Sequence, residues 1–254
     1  MKGMVITMQQ VLLTVDRNER LTSDVFRMEL TGDVRAITAP GQFLNFRLDG
    51  FSLRRPISVC DVGENRVTVV YRVVGGGTLA MAALRPGAVL DTLTGLGNGF
   101  DISKSGDAPL LIGGGVGTPP MLYLCRKLRE EGRQVKVVLG FRSASDVLLE
   151  EEFRALGAEV YIATEDGSCG TKGFVTDVIK TLQYSYFYTC GPMPMYRALR
   201  RTVATEGEYS FEERMGCGFG ACMGCSCKTL FGNKRICADG PVFEGKEILW
   251  ETQA

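Results

Sequence analysis

The sequence predicts a multidomain α+β fold: an N-terminal antiparallel β-barrel, a central doubly wound parallel α/β sheet and a small C-terminal domain. Three observations predict it. Residues 1–102 are cut at short, even intervals by turn residues, the mark of a barrel or sandwich. From residue 103 short apolar strands alternate with helical patterns, which means a parallel sheet covered on both faces. Residues 208–254 are rich in glycine and cysteine and too few to hold a core without a staple. A chain of 254 residues has room for three such domains, with boundaries expected at 1–102, 103–207 and 208–254.

The first domain supplies "QQVLLTV", "VFRMEL", "FLNFRL", "RVTVVYRVV" and "AVLDTL", all rich in β-branched or aromatic residues. "RNER", "TGD", "APGQ", "GEN" and "RPG" separate them. The second opens with a buried strand, "PLLIGG". "PPMLYLCRKLREEG" follows as an amphipathic helix with proline in its first turn. "QVKVVLGF", "AEVYIAT" and "YSYFYTCG" read as strands; "VLLEEEFRALG", "FVTDVIKTL" and "PMYRALRRTVATEG" read as helices.

Composition removes several functions. Lys+Arg and Asp+Glu balance at 29 each, leaving no basic footprint for nucleic acid or an anionic membrane. No run of about 18 apolar residues spans a bilayer. The first residues lack a signal peptide's layout, so a cytoplasmic protein is expected. There is no histidine, which excludes a Ser-His-Asp triad, a Cys-His pair and histidine-ligated zinc. Nine cysteines in a reducing compartment argue for metal or redox chemistry rather than a disulfide framework.

Four of those cysteines fall within eleven residues, in "MGCGFGACMGCSCK". Cys217-x4-Cys222-x2-Cys225 is the plant-type ferredoxin spacing for a [2Fe–2S] cluster, which takes its fourth thiolate from further along. Cys237 can supply it, and Cys227 is the rival. A four-cysteine zinc site is the alternative, but such sites usually come as two CxxC pairs, and here there is one. The glycines between the cysteines permit the turns that wrap a cluster.

"LLIGGGVGTPP" sets Gly113, Gly114, Gly115 and Gly117 between a strand and a helix, where backbone N–H groups can approach a pyrophosphate. It is not the strict GxGxxG pattern, and a plain tight turn is the alternative. The strand ending in "YTCGPMPM" puts Cys190, Gly191 and Pro192 at the carboxyl edge of the sheet, where ligands bind in open α/β folds. Cys190 is the candidate catalytic residue. In the first domain "RRPISV" offers a guanidinium for phosphate and a hydroxyl for a ring edge. "GGGT" offers backbone donors and a Thr hydroxyl.

Together these residues resemble the ferredoxin-reductase superfamily. Within it they resemble the family of electron-transfer subunits of class 1B dihydroorotate dehydrogenases. The resemblance covers nearly the whole chain. It rests on Arg55 to Ser58, Gly75 to Thr78, "GLGNGF" (Gly95 to Phe100), "GGGVGTPP", "CGP", and "ERMGCGFGACMGC" followed by "CADGPVF". It implies an FAD barrel, an NAD(H) domain and a [2Fe–2S] domain. Carried over, Arg55, Pro56, Ile57, Ser58, Arg72, Val73, Val74, Gly77 and Thr78 contact FAD. Many reductases carry Tyr where this chain has Ile57; the dihydroorotate subunits share the aliphatic choice.

NADP-specific relatives hold the 2′-phosphate with a Ser-Arg pair after the third strand of the nucleotide domain. Here Glu165 and Asp166 stand in that stretch. Carboxylates there repel a phosphate and accept from a free ribose hydroxyl, which favours NAD. The resemblance also implies a role in pyrimidine biosynthesis. Electrons come from an FMN-containing, dihydroorotate-oxidising catalytic subunit, in a heterotetramer with two of each chain. Related reductase subunits of hydrogenase, sulfide dehydrogenase or ferredoxin systems share every cofactor and are the alternative. Met215, Phe219 and Met223 beside the ligands would be apolar contacts for the partner, or pack only their own domain.

Overall fold

The computed structural model describes residues 8–250. Six antiparallel strands close a barrel: β1 (Gln9–Arg20), β2 (Val25–Thr31), β3 (Phe43–Phe46), β4 (Arg55–Val62), β5 (Arg66–Arg72) and β6 (Val89–Leu96), in the order β1-β2-β5-β4-β3-β6. The pleat decides which side chains fill it. Leu13 and Val15 of β1 are buried while Leu12 is 67% exposed; Met28 and Leu30 of β2 and Val67 and Val69 of β5 also point inward. Each buried aliphatic is worth about 1.5–3 kcal/mol over an exposed one, so a one-residue slip would forfeit the whole inward set and the register is fixed. A short helix, α1 (Gly76–Ala82), follows β5 where the sequence suggests only a glycine turn.

The second unit alternates β7 (Leu110–Gly114), α2 (Pro119–Glu130), β8 (Lys136–Phe141), α3 (Glu150–Ala155), β9 (Glu159–Thr164), β10 (Thr171–Lys172), α4 (Val175–Ile179), β11 (Phe187–Cys190), α5 (Met193–Arg200) and β12 (Gly207–Ser210). In α2, Met121, Leu124, Cys125 and Leu128 are buried at helical spacing, and Lys127 and Arg129 complement the negative end of the helix. The strands run parallel in the order β10-β9-β8-β7-β11-β12. Successive strands leave β7 in one direction and β11 in the other. That reversal is the switch point, where such sheets open a crevice.

The C-terminal segment carries a hairpin, β13 (Ser226–Thr229) and β14 (Gly232–Arg235), then α6 (Ile236–Asp239) and β15 (Val242–Glu244). β15 adds antiparallel to β12, so this segment ends on the nucleotide sheet. Among the described residues no helix is long and apolar enough to cross a membrane.

Side chains lock the three units together. Arg126 of α2 donates to the Asp61 carboxylate of β4 at 2.6 and 2.9 Å and to the Val62 carbonyl, while Arg27 of β2 pairs with Glu152 of α3. Lys104, in the turn joining barrel to sheet, reaches Glu208 of β12 at 3.0 Å and Glu244 of β15 at 2.8 Å. Burial raises the pKa of the Glu208 carboxyl, and the Asp101 N–H and Lys104 oppose it. "GLGNGF" docks on "DGPV": Asn98 donates to the Val242 carbonyl at 2.7 Å and accepts from its N–H at 3.1 Å. The strand-like pairing of that one side chain explains a motif to which the sequence alone gives no role.

Candidate functional site

A cleft of about 310 Å³ runs between the barrel and the start of the cysteine segment. Arg55, Pro56, Ile57, Ser58, Arg72, Val74 and Thr78 line its barrel side. Val116 of the glycine loop closes one end, and Ser210 to Glu213, Met215 and Pro241 form the far wall. Arg55 lies over the Phe51 ring at 4.8 Å. A Cβ on Gly77 would sit 1.9 Å from Arg55 Nε, so guanidinium and glycine turn occupy one place. A guanidinium packed on a glycine turn is an arrangement that suits a phosphate. Arg72 pairs with Asp24 at 3.2 Å, and Val73 donates its N–H to the Asp24 carbonyl.

The Thr78 hydroxyl is already in use. It accepts from the N–H groups of Val74 at 2.9 Å and Gly75 at 3.2 Å and donates to the Gly75 carbonyl. It therefore shapes the turn, and the donors it leaves for a ligand are backbone ones.

The glycine loop meets "CGP" across the switch point. A Cβ on Gly117 would lie 2.3 Å from the Cys190 carbonyl oxygen, and one on Gly114 would strike Met195 and Pro192. Gly191 donates its N–H to the Tyr196 hydroxyl at 3.0 Å, which fixes the turn after β11. Cys190 itself is 1% exposed. Burial, then Glu212, raise its thiol's pKa, outweighing Ser210 and Tyr196. What Cys190 presents to the loop is its carbonyl, with the neutral thiol turned into the core.

Glu165 and Asp166 are exposed after β9. Asp166 accepts from the N–H and hydroxyl of Ser168 at 2.9 and 2.6 Å through one oxygen, which orients the carboxylate.

Cys217, Cys222, Cys225 and Cys237 lie together. Ala221 and Cys222 donate N–H groups to the Cys217 sulfur at 3.2 and 3.4 Å. Gly220 donates to Cys237 at 3.1 Å, and Cys237 donates its N–H to Cys225 at 3.4 Å. The thiols fall into two contacting pairs, Cys217 with Cys222 and Cys225 with Cys237. Burial works to raise the Cys217 thiol, but N–H donors of Phe219, Cys222 and Ala221 and the Cys222 thiol bring its pKa down to about 6. Among the described residues no three ligating side chains converge on a point for one ion. The spacing Cys217-x4-Cys222-x2-Cys225 with the later Cys237 is what suits a two-iron centre. Cys227 points from β13 into the core, and burial pushes its pKa up to about 11. Of the nearby apolar residues, Met215 lines the cleft, while Phe219 and Met223 are 45% and 53% exposed.

Glu212, Phe43, Ser210 and Phe211 were invisible from sequence as cleft residues. They come from segments with no motif and meet the flavin motif only after the domains pack. Burial raises the pKa of Glu212, and Arg72 opposes it. A larger hollow, about 440 Å³, lies beside Arg200, Leu230 and Trp250. No residue of the motifs above lines it.

Comparison with known proteins decides the family. Residues 212–249 match the iron-sulfur cluster binding domain of dihydroorotate dehydrogenase B, and residues 111–201 match an oxidoreductase NAD-binding domain. The dihydroorotate dehydrogenase B (NAD(+)) electron transfer subunit of Bacillus velezensis is 44% identical over 255 residues, covering 95% of this chain and 99% of that one. That of Fusobacterium nucleatum is 42% identical over 251 residues, covering 92% and 96%. The chain belongs to the dihydroorotate dehydrogenase B electron transfer subunits. A solved structure described as an NADH-dependent reduced ferredoxin-NADP oxidoreductase superposes with a TM-score of 0.85 at 27% identity, covering 94% of this chain and 90% of that one.

As a member of that family the chain uses FAD, a [2Fe–2S] cluster and NAD(H). The residues present fit each group. The Arg55–Gly77 cradle suits a flavin phosphate, the crevice at β7 and β11 a dinucleotide, and the four thiols that lie together a two-iron centre. In this electron transfer subunit the cleft is lined by members of three motifs: Arg55 to Ser58, Val116 and Met215.

Proposed function

We propose that this chain draws electrons from an FMN-containing dihydroorotate dehydrogenase catalytic subunit, with two copies of each chain in a cytoplasmic heterotetramer serving pyrimidine biosynthesis. It is the NAD-linked electron transfer component of that system. When bound, the flavin exchanges single electrons on the cluster side and a hydride on the nicotinamide side. The chain's own residues arrange this. Cys217, Cys222, Cys225 and Cys237 hold the iron. Arg55 and the Gly77 turn hold the flavin phosphates, with Pro56 to Ser58 along the ring. Gly113 to Gly117 and Gly191-Pro192 seat the dinucleotide. Phe43, Phe211 and Met215 are apolar members of a cleft wall that also carries Glu212 and Glu213.

The observation that carries this reading is the meeting of three motifs, distant in sequence, around one cleft. Every motif holds an electron carrier, and none places a base for taking a proton from a carbon acid. The test is reconstitution. The chain alone should pass electrons from NADH to a dye and leave dihydroorotate untouched. Adding the catalytic subunit should restore dihydroorotate-dependent NAD+ reduction. Dihydroorotate oxidation by the isolated chain, or no complex with that subunit, would sink the reading.

Nucleotide preference follows from the exposed carboxylates of Glu165 and Asp166. NADH is expected to bleach the flavin faster than NADPH in stopped flow. Glu165→Ser with Asp166→Arg should narrow the gap about tenfold, the worth of one charge-assisted contact. Faster bleaching by NADPH in the unaltered protein would remove these carboxylates from the site.

A further inference from the structure

We propose that Asn45 is a positioning residue for electron passage between the flavin cleft and the cluster. The inference rests on Cys217 being a cluster ligand. β3 is four residues long, and its pleat splits them between two environments. Leu44 and Phe46 fill the barrel core. Phe43 belongs instead to the core cluster that also holds Cys225 and Cys237, and it lines the cleft. Asn45 shares the face of Phe43. It is 1% exposed, in a strand whose other members are apolar.

Its amide joins two parts of the site. In the barrel ladder Asn45 stands opposite Pro56, inside the flavin motif. Its Nδ2 donates to the carbonyl of Cys217 at 3.2 Å, across 172 residues of sequence. Gly218, at φ +79°, comes so close that a Cβ would sit 2.2 Å from that nitrogen. The other end of the amide, Oδ1, is buried with no partner. Buried polar atoms are nearly always satisfied, and an aliphatic side chain would fill this position without stranding an acceptor. What the asparagine adds is the donor to Cys217. One hydrogen bond thus ties the strand pair of the flavin motif to the backbone of the first ligand, and sets how far apart the two centres stand.

The electron count is simple. Dihydroorotate is oxidised by two electrons at the catalytic subunit, NAD+ is reduced by two, and the two cross this contact one at a time.

The test uses the complex with the catalytic subunit, carrying Asn45→Leu or Asn45→Val. Both remove the donor without adding a charge, and the smaller valine decides the matter if the leucine variant does not fold. Three quantities are read. They are the midpoint potential of the cluster, the line shape of its paramagnetic signal, and the ratio of dihydroorotate-to-NAD+ turnover to NADH-to-dye turnover in the same preparation. Hydrogen bonding around the sulfurs tunes a cluster's potential, so potential and line shape should shift. The ratio should fall about tenfold, because small misplacements are costly in rate. Unchanged potential, line shape and ratio would overturn the proposal. So would a lower melting temperature or cofactor content with the remaining cluster's signal and ratio unaltered, since that is a structural role only. Absence of iron from the unaltered protein would instead defeat the ligand assignment on which this rests.

Discussion

Serine at Cys217, Cys222, Cys225 or Cys237 is expected to remove the cluster. Iron should fall from about two atoms per chain to near none, and the reduced protein should lose its rhombic paramagnetic signal. The four sites should differ in what else they lose. Cys222 is exposed, so its variant should keep its fold. Cys225 and Cys237 are each 2% exposed within the core between sheet and barrel, and a buried, unpartnered hydroxyl costs about 1–3 kcal/mol more. Dihydroorotate-dependent NAD+ reduction should vanish in all four, while NADH-to-dye transfer through the flavin should persist, most clearly in Cys222→Ser. Cys227→Ser should keep its iron. Bleaching in Cys227→Ser but not in Cys237→Ser would reassign the fourth ligand.

Gly117→Ala should break the opposite end of the route. The new Cβ would lie 2.3 Å from the Cys190 carbonyl oxygen and 2.6 Å from the Gly191 nitrogen. Both are backbone atoms at the end of a central strand and cannot swing aside. The loop must move off β11, and a displacement near 1 Å at a reacting centre costs about a hundredfold. Reduction of the flavin by NADH should fall by that order, with flavin and iron content unchanged, because Gly117 does not line the cleft and lies far in sequence from the cysteine segment. Gly115→Ala offers a comparison. Its Cβ meets open space, and only its φ of +54° resists the change, so a smaller loss is expected. Normal NADH kinetics in Gly117→Ala would remove the glycine loop from the nucleotide site.

The readable parts of this fold are those with a long pattern or a rigid chemical need. Alternation in "VFRMELT" and helical spacing in "PPMLYLCRKLRE" are local signals, and both became the elements expected. The cysteine spacing answers to the geometry of a metal centre, so it survives translation into sequence. β12 and β15 were not readable as one ladder. "GEYS" and "VFE" are four and three residues long, shorter than any period can establish, and each becomes a strand because the other is there. α1 was masked by its glycines. Its signal was Thr78, three residues after Gly75, closing back on the turn. Asn45 and Glu212 gave no signal, because each acquires a role only when separate domains bring partners to it.

The strand inventory has a consequence for how the chain meets other proteins. The barrel is closed, so it has no edge strand. The large sheet ends at one side in the two residues of β10 and at the other in the three of β15, and the hairpin strands have four each. The outermost strands of the large sheet and of the hairpin are thus short templates for another strand. Short outer strands favour recognition by side chains and loop shape over main-chain ladders. A partner chosen that way can be changed by a few surface substitutions while the electron carriers stay where they are.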